Sequence, residues 1–82
     1  MIAVAVESTT LATVAYDAAA LVLWLEFRNH AAYCYFGVPA AVHQALMGAD
    51  SKGAYFNRHV RNRFPYRRIV TDLPSAPSSI TG

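Results

Sequence analysis

The chain has one cysteine, Cys34, in 82 residues. No intramolecular disulfide can form, which points to a reducing compartment and a cytoplasmic location. Glycine is scarce too. Gly37, Gly48, Gly53 and Gly82 are the whole set, and no glycine-rich phosphate loop can be built from them. Apolar runs are short: Ala18–Leu25 lasts about eight residues, where a membrane span needs about 20. MIAVAVESTT lacks the basic start of a signal peptide. Acid is absent from one whole segment, with no Asp or Glu between Lys52 and Val70.

What is present defines a small globular domain. The chain is 55% hydrophobic and 15% charged, far from the composition of disorder. Net charge is +2, but it is unevenly placed. Glu7, Asp17, Glu26 and Asp50 face only Arg28 in the first half, whereas SKGAYFNRHVRNRFPYRR holds six of the seven Lys and Arg. Such polarity along a chain suits an anionic partner.

The first half alternates as strands do. Leu11–Tyr16 is rich in β-branched and aromatic residues, and Asp17 suits the turn after it. Leu21–Phe27 sets Leu21, Leu23, Leu25 and Phe27 on one face, with Val22, Trp24 and Glu26 on the other. After a turn at Arg28-Asn29-His30, Ala31–Phe36 returns with Tyr33 and Tyr35 on one face and Cys34 and Phe36 on the other. Ile2–Val6 adds an edge strand. Short connections favour an antiparallel meander.

From Gly37 the period is helical. Pro39 fits a first turn, Val38, Val42, Ala45 and Leu46 form one stripe, and Gly48 fits a left-handed helix end. Ser51 caps a second helix over Lys52–Arg63 that buries Phe56, Val60 and Phe64. Pro65 stops it. The expected fold is α+β: three or four antiparallel strands, then two helices packed on one sheet face. Residues 1–71 form the single domain, and the Ser- and Pro-rich residues 72–82 are expected to be disordered.

These residues carry a resemblance. Tyr16-Asp17, Phe27, Tyr33-Cys34-Tyr35, Gly37-Val38-Pro39, Ala49-Asp50-Ser51-Lys52-Gly53, Tyr55-Phe56-Asn57 and Val60-Arg61 occur in the order and spacing of the KTSC domain family. The chain resembles that family from about Val6 to Arg68. The family is named after a segment at the C-terminus of some lysyl-tRNA synthetases and also occurs as small bacterial proteins. One departure is the hairpin turn, where the family favours glycine and this chain has Asn29-His30. The resemblance implies a bacterial or phage source and RNA, transfer or single-stranded, as a partner. It implies no catalytic mechanism.

On helical spacing Arg58 and Arg61 are neighbours opposite the buried stripe. Guanidiniums there can fork onto phosphate oxygens, and Tyr55 can stack on a base. Arg63, Arg67 and Arg68 extend the basic segment, Lys52 lies at the helix start, and Tyr33 and Tyr35 offer a stacking platform on a strand. The same residues also suit a solvated helix face and an aromatic core or dimer interface. Function therefore reads as a small RNA-binding module. The alternative is a protein-interaction or homodimerisation module using an exposed aromatic sheet face.

His30, His43 and His59 lack metal-ligand spacing, and Cys34 has no partner cysteine. No nucleophile–base pair rests on a recognisable signature. The expectation is no enzyme, metal, cofactor, small-molecule substrate or membrane.

Overall fold

The computed structural model describes residues 3–69. The tail reading for 72–82 lies outside the described residues. Five strands form one antiparallel sheet in the order β1-β2-β3-β4-β5. They are β1 (Ala3–Ala5), β2 (Leu11–Asp17), β3 (Val22–Phe27), β4 (Ala32–Phe36) and β5 (Tyr66–Ile69). Helices α1 (Ala40–Gly48) and α2 (Lys52–His59) lie between β4 and β5 in the chain. The α+β expectation holds, with a fifth strand added after the helices.

Register assigns the faces, because residues directly opposite on paired strands share one. Leu23 pairs with Tyr35, Leu25 with Tyr33, Tyr35 with Tyr66, and Tyr33 with Arg68. This face carries the core. Leu11, Val14, Leu23, Leu25 and Tyr35 pack with Val38, Leu46, Phe56 and Val60 from the helical half. The opposite face carries Ala15, Trp24, Cys34 and Arg67 in one paired row. Its indole Nε1 is buried without a partner among the described residues.

Local chemistry sets the element ends. Asp17 Oδ1 accepts from the amides of Ala19 and Ala20, which closes the turn into β3. Leu21 falls in that turn, at φ 58° and exposed, so β3 begins at Val22 instead of Leu21. Ser51 caps α2 by accepting from Ala54 N at 3.3 Å. Gly48 is the last residue of α1 and does not take the left-handed conformation; the glycine with positive φ is Gly37, at 74°, just after β4. α2 is a turn shorter than the spacing suggests. The amides of Val60 and Arg61 both donate to Phe56 O at 2.9 Å, and Asn62 turns left-handed at φ 64°.

The β3–β4 hairpin explains the departure at Asn29-His30. His30 N donates to Phe27 O at 2.9 Å and Asn29 Oδ1 accepts from Ala31 N at 3.0 Å. The geometry then requires φ 70° at His30. A left-handed residue with a Cβ costs about 1–2 kcal/mol, less what glycine loses in unfolded-chain entropy. His30→Gly is therefore expected to stabilise by about 0.5–1 kcal/mol, a rise in Tm of roughly 2–8 °C by calorimetry. An unchanged or lower Tm contradicts the strain.

Candidate nucleic-acid interface

The seam where α2 ends over β4 and β5 is an open groove of about 470 Å³. Its floor is aromatic. Tyr33 and Tyr35 rise from β4, Tyr66 from β5, and Phe27 and Phe56 close the inner end. Tyr66 lies 5.7 Å from Tyr33 and 5.5 Å from Tyr35 between ring centroids. Phe56 meets Phe27 at 5.2 Å and Tyr35 at 5.5 Å, both edge to face. The rim is polar: Asn57, Arg61 and Asn62 from the helical side, Asn29 from the hairpin.

Each position has a local cause. Alternation along β4 puts Tyr33 and Tyr35 on the helix-facing side. Tyr66 joins them because Pro65, whose carbonyl accepts from Phe36 N at 2.9 Å, delivers the chain to the free edge of β4. The early end of α2 swings Arg61 and Asn62 out of the helix and over the floor.

Electrostatically the groove is cationic at its mouth. Burial pushes the Tyr35 hydroxyl above its ordinary pKa, Tyr33 and Tyr66 add to the rise, and Arg61 opposes it. The hydroxyl therefore stays protonated and can donate to a ligand. Arg58, Arg61, Arg63, Arg67 and Arg68 are exposed. By contrast, Arg28 is tied to the carbonyls of Ser8 and Val6, and Lys52 to that of Ala49.

The structure divides the residues that the sequence grouped. Tyr33, Tyr35 and Arg61 line the groove, and Arg68 stands beside Tyr33 on the same sheet face. Tyr55 and Arg58 belong to a separate recess of about 210 Å³, where the Tyr55 and His59 rings lie 4.4 Å apart at a 34° tilt. Arg58 and Arg61 are thus not neighbours on one helical face, since α2 ends before Arg61. Lys52 turns back to cap the α1 end, Arg67 pairs with Cys34 on the other sheet face, and Arg63 is exposed in the turn before β5.

The tyrosines are likewise absent from the opposite sheet face, whose aromatics are Trp24 and Phe36. Sequence reasoning missed Tyr66, Asn57, Asn62 and Asn29. Tyr66-Arg67-Arg68-Ile69 does not alternate apolar with polar, so no strand period marked the first. Among the described residues no group of three or more His, Cys, Asp or Glu gathers. No helix there is long and apolar enough to cross a membrane.

Comparison with known proteins places this geometry. The KTSC domain model matches residues 7–64. An uncharacterized protein of Stutzerimonas stutzeri is 43% identical over 67 residues, which cover 80% of this chain and 94% of that protein. A crystal structure of a KTSC domain protein from Yersinia pestis superposes with a TM-score of 0.82 at 33% identity, covering 84% of this chain and 97% of that one. A lysine–tRNA ligase of Trichormus variabilis is 35% identical over 54 residues, 66% of this chain but only 10% of the ligase. The chain is a member of the KTSC domain family.

Proposed function

We propose that this protein is a non-catalytic module that binds single-stranded RNA. The observation that carries the reading is the meeting of tyrosyl rings with an exposed guanidinium at one groove: Tyr33, Tyr35 and Tyr66 with Arg61, and Arg68 beside Tyr33 on the same sheet face. Aromatic faces stack on bases of any sequence, and guanidiniums hold the phosphates between them. The similarity to a segment of lysine–tRNA ligases supports RNA as the polymer.

Phosphate contacts from Arg61 and Arg68 give a salt slope of about −0.7 each, so affinity for a labelled single-stranded RNA should fall roughly sevenfold between 50 and 200 mM salt. Fluorescence anisotropy at the two concentrations measures it. Absence of binding at low salt, or binding indifferent to salt, overturns the proposal.

A second reading is a docking face for another protein or a second copy. It draws on Phe36, 38% exposed, on the sheet face that carries Trp24. Light scattering that finds a monomer at all concentrations removes the homodimer form of this reading.

A further inference from the structure

The cations are spread over both sheet faces and two recesses, and among the described residues the groove lined by Arg61 combines a cation with aromatic rings and side-chain amides. We infer that the β4–β5/α2 groove is a pocket for one unstacked nucleotide: its base lies against Tyr33 and Tyr66, its polar edge meets Asn57 and Asn62, and its phosphate sits on Arg61. This rests on the RNA-binding reading and narrows it to a site and to unpaired bases.

Size is the first support. A volume of about 470 Å³ lies in the range of small-ligand sites and cannot accept a base that remains stacked in a duplex. Ring geometry is the second. Tyr66 is 59% exposed although it is a large aromatic, and it leans over Tyr33 at a 58° tilt instead of stacking flat on it. An exposed ring of that kind, backed by a second one, has a face free for a base. Polarity is the third. Tyr35 is 4% exposed yet lines the groove, and its protonated hydroxyl points to a donor role there. Asn57 and Asn62 each offer a donor and an acceptor side by side, which is the pattern of a base edge. Among the described residues no carboxylate lines the groove to repel a phosphate.

The test compares three probes on the full chain: the single-stranded octamer U8, the same strand annealed to A8, and inorganic polyphosphate of similar charge. U8 is expected to bind at least roughly tenfold tighter than the duplex and than polyphosphate, because neither of those presents an unstacked base. Tyr66→Ala removes an exposed side chain and should leave the circular dichroism unchanged while weakening U8 by roughly 5- to 150-fold. Arg61→Ala should reduce the salt slope by about 0.7, and Asn62→Gly, which keeps the left-handed backbone, should weaken U8 without changing that slope.

Equal binding of duplex and single strand overturns the pocket and the preference for single strands, leaving RNA binding in general; Tyr66→Ala binding like wild type overturns the pocket alone. Failure of every probe to bind defeats both. Weakening of U8 by Arg58→Ala and Arg67→Ala but not by Arg61→Ala also overturns the pocket, since it moves the contact elsewhere.

Discussion

Phe56→Ala is expected to lower Tm by at least roughly 12 °C and to leave little folded protein in mild urea. The ring is 5% exposed and sits where the two halves of the chain meet. It contacts Phe27 on β3 and Tyr35 on β4, each edge to face. Truncating a buried Phe to Ala costs about 3–5 kcal/mol, from lost transfer energy plus the cavity left behind. A domain of 82 residues holds only about 4–12 kcal/mol in total. The loss is therefore a large share of the whole.

Phe56→Leu separates causes. It keeps most of the volume and loses the two aromatic pairs, worth about 0.5–1.5 kcal/mol each. Calorimetry and urea melts of both variants measure the difference. A Phe56→Ala protein within about 1 kcal/mol of wild type would contradict the placement of this ring at the centre of the core.

Gly53→Ala is the second large effect, and it arises from space instead of backbone freedom. A Cβ at Gly53 would lie 2.6 Å from Thr10 Oγ1 and 2.9 Å from Thr10 Cβ. Thr10 cannot simply retreat. Its amide donates to Ser8 Oγ at 3.1 Å and its carbonyl accepts from Arg28 N at 2.9 Å. The first turn of α2 must therefore move off the β1–β2 loop, at a cost of about 1–3 kcal/mol for overpacking.

Pairing with Thr10→Gly removes both close atoms. In a double-mutant cycle the combined variant should be more stable than the sum of the single effects, by about 1 kcal/mol or more. Strict additivity would mean that the contact carries no strain. The segment Ala49-Asp50-Ser51-Lys52-Gly53 thus divides into physical roles on this structure: Ser51 caps, Lys52 ties α2 back to Ala49, and Gly53 allows close approach.

Much of this was legible from residue order alone. Period-two alternation in Leu23–Phe27 and Tyr33–Phe36 gave the two central strands, because a half-buried sheet forces that pattern. Ser51 and the Phe56/Val60 stripe gave α2. Three features were not legible. β5 is four residues long and carries two arginines on an edge, where charge is tolerated and the apolar signal is weak. The end of α2 depends on Asn62 turning left-handed, while Arg61 and Arg63 beside it are good helix formers.

The third is the grouping of the site. Helical projection joined Arg58 to Arg61, yet the helix stops between them, and the partners of Arg61 are tyrosines about thirty residues earlier that only strand register brings near. A compact stretch of charge in sequence became exposed arginines on different surfaces, and the groove took only part of it.

The central claim is that the aromatic groove, and not the opposite sheet face, receives RNA. Amide and side-chain NMR shifts of the labelled protein during titration with a short single-stranded RNA test it most directly. The account predicts saturable shifts at Tyr33, Tyr35, Asn57, Arg61, Asn62 and Tyr66, with Val22, Trp24 and Phe36 unmoved. Shifts confined to Trp24, Phe36 and Arg67, or none at low salt, would contradict it.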